Sequence, residues 1–236
     1  MRLPDDLIEG RLIRRYKRFL ADVELATGET ITVHCANSGS MKGCSEPGRP
    51  VLISDSRNPK RKLRHTLEMI RMGRTWVGVN TANPNRAVAA WIENGRIAEL
   101  AGYPYQRREV PYGENDRSRI DVLLEDPDGG RPRCWVEIKN TTWRVGEHAA
   151  FPDAVTTRGQ KHLRELAGVV EQGERGVMFF FVGRADCTRF RPADEIDPDY
   201  GRILRSVVEK GVEPIAFRMR FTRQRIELME RIPVDL

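Results

Sequence analysis

Around residue 82 the sequence changes period, and that change calls for two structural units rather than one. Residues 11–25 (RLIRRYKRFLADVEL) read as one long extended stretch, and the turn Ala26-Thr27-Gly28-Glu29 leads into the β-branched run Thr30–Ala36. Further strands are expected at 50–56, 63–70 and 75–80, the last two joined at Met72-Gly73-Arg74. Five short strands between Gly, Pro and Asn turns predict a small closed barrel of the OB or the SH3-like kind, which the pattern alone does not separate. The polar, proline-bearing run Thr81-Ala82-Asn83-Pro84-Asn85 marks the expected boundary between a barrel of residues 1–82 and a second unit of residues 83–236.

Beyond it the pattern is mixed. Residues 85–94 predict a helix stopped by Gly95, followed by strands at 107–112, 118–125 and 134–140. Thr156 or Thr157 can cap a helix running to about Gln172, with Leu163, Leu166, Val169 and Val170 on its apolar face. The continuous apolar run Val177–Val182 has the look of a strand covered on both faces. A helix at 199–210 and a strand at 214–219 complete the order α-β-β-β-α-β-α-β, which predicts a mixed sheet flanked by helices.

Composition narrows the setting. No apolar run reaches the roughly 18 residues that span a bilayer, so no membrane partner is expected. The N-terminus lacks the apolar core of a secretory signal, and a cytoplasmic location is expected. The four cysteines form no Cys-x-x-Cys pair, and His34, Cys35 and Cys44 lack a fourth ligand at a zinc spacing, so buried neutral thiols are the reading. The net charge of +6 is unevenly placed: residues 1–82 hold 15 Lys and Arg against 9 Asp and Glu, while the remainder balances. A localised basic excess suits a polyanion-binding module.

The chemistry concentrates in the hairpin of residues 118–140. Asp121 lies on its first strand, Glu137 and Lys139 on its second, with the turn sequence Asp126-Pro127-Asp128-Gly129-Gly130 between them. A turn centred near residue 129 sets Asp121 across from Glu137, and Glu137 and Lys139, two apart, share a face. Ile120, Val122, Val136 and Ile138 are expected to bury the opposite face. Two carboxylates facing each other repel unless a cation intervenes, and Mg²⁺ or Mn²⁺ held by Asp121 and Glu137 removes that repulsion. Lys139 then orients a water or stabilises developing charge. Gln160, Lys161 and Arg164 fall in the first turns of the following helix, where a phosphate can be received.

The stretches LIRRYKRFLADVEL, CANSGSMKGCSEPG, SRNPKRKL, RSRIDVLL, EIKNTTW, FPDAVTTRGQKHLREL and IPVDL resemble the bacterial sugar fermentation stimulation protein A (SfsA) family nearly end to end. The resemblance implies an OB-fold barrel joined to an α/β, restriction-endonuclease-like domain of the (D/E)-x-K nuclease superfamily. It also implies sequence-tolerant DNA binding linked to regulation of sugar, especially maltose, metabolism. By motif, Asp121, Glu137 and Lys139 match the nuclease triad. Gln160 with Arg164 resembles a Gln-x-x-x-Tyr helix in which Arg replaces Tyr. The upstream helical acid of that superfamily has two candidates, Glu93 and Glu99.

The expected nucleic-acid surface, with DNA the expected partner, lies on the barrel. Arg57, Lys60, Arg61, Lys62 and Arg64 crowd residues 57–64, and Arg14, Arg15, Lys17 and Arg18 crowd the first strand. Tyr16, Phe19 and Trp76 are either core residues or stacking platforms. The loop Asn37–Gly43 is either a phosphate nest or a tight barrel turn. Two functions follow: a metal-dependent nuclease, or a non-catalytic DNA-binding regulator.

Overall fold

Strand β1 (Ile8–Tyr16) doubles back into β2 (Leu20–Leu25), pairing Tyr16 with Leu20. The stretch expected as one long strand is therefore a hairpin. Its turn is made by Lys17 (φ 47°) and Arg18 (φ 61°), two non-glycine residues in left-handed conformation, so no Gly, Asn or Asp marks it in the sequence. In the computed structural model, which describes residues 1–113, 115 and 117–236, four more strands complete this sheet. These are β3 (Thr30–His34), β4 (Pro50–Asp55), β5 (His65–Met72) and β6 (Thr75–Gly78), in the spatial order β3-β2-β1-β4-β5-β6.

A parallel contact between His34 and Thr66 joins β3 to β5 and closes β1 to β5 into a barrel, which settles the fold as OB-like. Alternation supplies its core: Leu12, Val23, Val33, Val51, Ile53 and Leu67 are all buried inside. Gly10 sits where a Cβ would strike the Val23 side chain and the Glu24 carbonyl, so β1 and β2 approach closely only because a glycine is there.

The second unit begins with α1 (Ala82–Glu93), after which Gly95 takes φ 65° and stops the helix. Its sheet comprises β7 (Tyr105–Tyr112), β8 (Ser118–Glu125), β9 (Cys134–Thr141), β12 (Arg175–Val182), β14 (Glu213–Phe221) and β15 (Ile226–Ile232). The order is β15-β14-β12-β9-β8-β7, with β9, β12 and β14 parallel and the outer pairings antiparallel. Helices α2 (Thr157–Glu171) and α3 (Pro198–Glu209) pack on the face opposite α1. The run Val177–Val182 serves both layers: Val177, Phe179 and Phe181 join the α1-side core, and Met178, Phe180 and Val182 the other. Thr156 caps α2, its hydroxyl accepting from the Gly159 amide at 3.0 Å. A small sheet of β10 (Trp143–Val145), β11 (His148–Phe151) and β13 (Arg189–Pro192), and the edge strand β15, were not expected from the sequence. The three- and four-residue strands β10, β11 and β13 are too short to show a period.

The two units share packing. Leu52 and Met69 of the barrel belong to the same apolar core as α1 and the β9–β12–β14 sheet. The chain start returns to the far end of the molecule, where Leu3 N–H donates to the Gln224 carbonyl at 2.8 Å. The Gly78 amide donates to the Gly183 carbonyl at 2.9 Å, tying the last barrel strand to the end of β12.

Candidate active site

Strands β8 and β9 pair only through Val122–Val136, Leu123–Trp135 and Leu124–Cys134. One further step of that register would set Asp121 opposite Glu137, as the spacing predicts. The ladder ends before reaching it, so from Glu137 to Thr141 strand β9 is paired on one edge alone, with β12, which lines its other edge from Cys134 onward. The two strands therefore part where the charged residues begin. In the resulting notch the Ile138 amide, without a β8 carbonyl, donates to Asp121 Oδ2 at 2.7 Å. The other Asp121 oxygen accepts from the Asn85 side chain at 2.5 Å, from the first turn of α1. On the far side of β8, Glu109 adopts φ 52° and interrupts the β7–β8 ladder opposite Asp121, between the pairs Arg108–Val122 and Val110–Ile120, with no change of register. Ile120 packs with the α2-side core, whereas Val122, Val136 and Ile138 line the α1 side, so the expected shared face holds for three of the four.

Glu137 is 3% exposed and sits at the centre of a network. Its Oε1 accepts from Lys139 Nζ at 2.6 Å and from His162 Nδ1 on α2. Lys139 Nζ lies 3.4 Å from the same imidazole nitrogen, and Arg158 Nε donates to His162 Nε2 at 3.3 Å. Glu137 Oε2 is buried and has no hydrogen-bond partner among the described residues. Burial alone would push the Glu137 carboxyl upward, but the Lys139 ammonium and the His162 contact outweigh it and hold it below the usual glutamate value. Asp121 behaves oppositely: burial and then the Glu137 charge push it up to about 7, against the Ile138 amide and Lys139. One site thus contains a carboxylate kept ionised and a second that its neighbour drives toward protonation.

A divalent ion fits this donor chemistry. An orphaned buried carboxylate oxygen is the kind of group that a hard cation satisfies, and a positive charge would lift the repulsion acting on Asp121. Among the described residues no group of three or more His, Cys, Asp and Glu side chains stands ready to hold a metal. Two carboxylates are hard oxygen donors of the kind that hold a divalent cation.

The remaining sequence candidates divide sharply. Gln160 does not join the network: its amide donates to both oxygens of Asp197, the cap of α3, at 2.9 and 3.2 Å. Arg164 lies in an outer groove with Arg202 and Lys210, one turn further on and away from the notch. Lys161 donates to Ser118 Oγ at 3.0 Å and pairs with Glu165. Neither candidate for the upstream acid reaches the site, since Glu99 pairs with Arg231 and Glu93 lines a groove with Tyr103 and Tyr105. What α1 presents there is Asn85. Sequence reasoning missed both Asn85 and His162. His162 had a readable signal, being the polar residue embedded in the α2 stripe of Leu163, Leu166 and Val169.

Lys139 also lines a cleft of about 590 Å³ between the two units, bounded by Arg15, Arg18 and Ser38 of the barrel and by Asp153 and Val155 ahead of α2. The barrel loop at its edge is held from within. Arg15 donates to the carbonyls of Arg18, Asn37, Gly39 and Ser40, so this expected nucleic-acid contact is occupied as a clamp. The amides of Gly39, Met41 and Lys42 go to Asn37 Oδ1, Asp153 Oδ2 and Ser40 Oγ, which excludes the phosphate-nest reading. Arg14, Arg57 and Arg64 pair with Asp22, Asp6 and Asp55. Lys17, Arg18, Lys60, Arg61 and Lys62 are exposed. They make no ion pair among the described residues, although Arg61 donates to Thr66 at 3.3 Å. Of the three aromatics, Trp76 packs on the main core, Tyr16 lies under Arg14, and Phe19 stays 49% exposed.

With this geometry in place, similarity to known proteins is informative. Residues 13–79 match the SfsA N-terminal OB domain, and residues 82–225 match the sugar fermentation stimulation protein RE domain. A sugar fermentation stimulation protein homolog of Geobacter metallireducens is 56% identical over 236 residues, covering all of both chains. One from Geobacter sulfurreducens is 56% identical over 234 residues, covering 99% of this chain and 98% of its own. The structure of Pyrococcus furiosus SfsA in complex with Ca²⁺ superposes with a TM-score of 0.89 at 26% identity, covering all of this chain and 98% of that one. An OB barrel fused to an α/β domain, matched over the full length at this identity, makes the chain a member of the sugar fermentation stimulation protein (SfsA) family.

Proposed function

We propose that this chain binds nucleic acid, DNA foremost, and that its α/β domain is a divalent-metal-dependent phosphodiesterase of the (D/E)-x-K kind. The observation that carries this reading is the buried, partnerless Glu137 Oε2 beside Asp121, whose carboxyl is pushed up to about 7 by burial and by Glu137. Asp121 and Glu137 would hold Mg²⁺ or Mn²⁺, and the complex of Pyrococcus furiosus SfsA with Ca²⁺ supports a hard divalent ion at this fold. When bound, such an ion supplies Lewis-acid polarisation of a phosphoryl oxygen and lowers the pKa of a water. The chain's own groups do the rest. Lys139 faces the cleft and offers an ammonium to the negative charge that grows on the phosphoryl oxygens. Arg18, Lys60, Arg61 and Lys62, exposed and without an ion pair among the described residues, offer cations to the phosphate backbone. The family's link to sugar fermentation would then act through nucleic acid.

A second reading, a DNA-binding regulator without catalysis, is favoured by one feature: Lys139 closes on Glu137 at 2.6 Å and occupies one of its two oxygens. Labelled single- and double-stranded DNA and RNA, incubated with and without Mg²⁺ or Mn²⁺ beside Glu137→Ala, separates the two. Metal-dependent cleavage lost in the variant supports the phosphodiesterase. Binding to every substrate with no cleavage of any leaves the regulator.

A further inference from the structure

We infer that His162 is the positioning residue that aims Glu137, and that Arg158 fixes which of its ring nitrogens carries the proton. The inference rests on the metal-site reading of Asp121 and Glu137. Three observations lead to it.

His162 is 3% exposed on a helix face otherwise filled by Leu163, Leu166 and Ala167, where an apolar side chain would satisfy packing. A buried imidazole there needs both nitrogens satisfied, and both are. Arg158 Nε can only donate, so Nε2 of His162 must be the bare, accepting nitrogen. The ring proton then sits on Nδ1, which faces Glu137 Oε1 and donates to it. A doubly protonated ring would set Arg158 against an N–H, leaving that contact unmade.

The consequence falls on Glu137. Its Oε1 receives both the imidazole N–H and the Lys139 ammonium, and among the described residues its Oε2 receives nothing. Two donors on one oxygen fix the carboxylate plane and leave the other, buried oxygen free for a further partner. Donors that orient a ligating carboxylate in this way are worth about 10–100-fold in metal affinity when removed. Lys139 alone cannot hold the plane, because a flexible ammonium makes no planar, directional contact. The rigid ring on α2 does, and Leu163 and Leu166 hold that helix against the sheet.

The test is Mn²⁺ binding to the full chain, read by electron paramagnetic resonance, for wild type, His162→Leu, His162→Asn and Arg158→Ala. Asn places an amide N–H where Nδ1 stands, so His162→Asn is expected to bind close to wild type. His162→Leu, which fills the space without a donor, is expected to weaken binding about 10–100-fold, and Arg158→Ala to weaken it less. Wild-type affinity in a folded His162→Leu variant overturns the role of His162 and leaves the metal reading standing. No Mn²⁺ binding by wild type overturns both. A readout independent of variant folding is the ¹⁵N spectrum of the wild-type imidazole: a proton on Nδ1 with Nε2 bare supports the assignment, and the opposite tautomer sinks it.

Discussion

The barrel and the α/β domain both carry dense charge, but they dispose of it differently. The barrel holds the chain's entire basic excess, yet Arg14, Arg57 and Arg64 are paired with acids and Arg15 is wound into four backbone carbonyls. The α/β domain is neutral in sum, yet it buries Glu137 with one oxygen unsatisfied and drives Asp121 toward protonation. Net charge therefore locates a region, and unpaired or frustrated charge locates a site. In a water-exposed barrel, ion pairs are cheap to make and contribute little. In the notch between β8 and β9 a buried carboxylate oxygen left without a donor among the described residues is expensive, and its persistence suits a ligand.

The contrast predicts a hierarchy of effects. The largest falls on the buried side: Lys139→Ala and Glu137→Ala are each expected to lower metal-dependent cleavage by about 10³-fold or more, with nucleic-acid binding retained. Single-turnover assays with binding measured in parallel check this. A loss of binding in proportion to activity would erase the distinction between a binding barrel and a reacting domain. Next comes Arg15→Ala on the barrel. Its loss frees four carbonyls and the loop that meets Asp153, and is expected to lower unfolding stability by about 2–3 kcal/mol while leaving the salt dependence of binding unchanged. Urea denaturation and a salt titration measure the two quantities on the same variant. A shallower salt slope would return Arg15 to the nucleic-acid surface.

The reverse is expected of the loop residues Lys60, Arg61 and Lys62, all exposed and without ion-pair partners among the described residues. Replacing all three by Ala should leave stability near wild type. The salt slope of DNA binding should fall by about 0.7–0.9 for each phosphate that is no longer neutralised. Arg57→Ala and Arg64→Ala should change it less, because Asp6 and Asp55 already neutralise those side chains. Equal effects from paired and unpaired residues would mean that the ion pairs open on binding.

Much of this was readable from residues, and the failures have physical causes. The continuous apolar run Val177–Val182, the cap at Thr156 and the stop at Gly95 are local signals, and the elements they mark formed where expected. The spacing of Asp121 and Glu137 brought the two carboxylates to adjacent positions of neighbouring strands, one step beyond the Val122–Val136 pair. It did not reveal that the strands part there, because the ladder stops where the Asp121 side chain, rather than a β8 carbonyl, takes the Ile138 amide, a detail with no signal in the spacing. Gln160 was drawn in by its position on α2, but the cap of α3, distant in sequence, claims its amide. The β1–β2 turn was invisible because Lys17 and Arg18 adopt a conformation that their residue types do not announce. His162 and Asn85 approach the carboxylates only through tertiary packing, and no spacing rule links them to residues 36 or 25 positions away.

The smallest effect concerns whether the two regions are separable at all. Cys44 lies at the junction, its thiol near Thr142 of the α/β domain, and burial pushes it up to about 11. Cys134 lies inside the α/β sheet, and burial pushes it up to about 12. At pH 8 both thiols are protonated and buried, so neither should react with an alkylating reagent until the chain opens around it. A barrel that came away as an independent unit would expose Cys44 while Cys134 stayed protected. Leu52 and Met69 argue against that, since they sit in the same apolar cluster as Phe179 and Phe217, and separating the units would strip water-excluded surface from both. The expected result is therefore a common labelling rate for the two cysteines across a urea series, followed by mass spectrometry of the modified peptides. Earlier labelling of Cys44 would show a barrel that opens alone, and would turn the cleft containing Lys139 from a fixed channel into one that parts to admit its substrate.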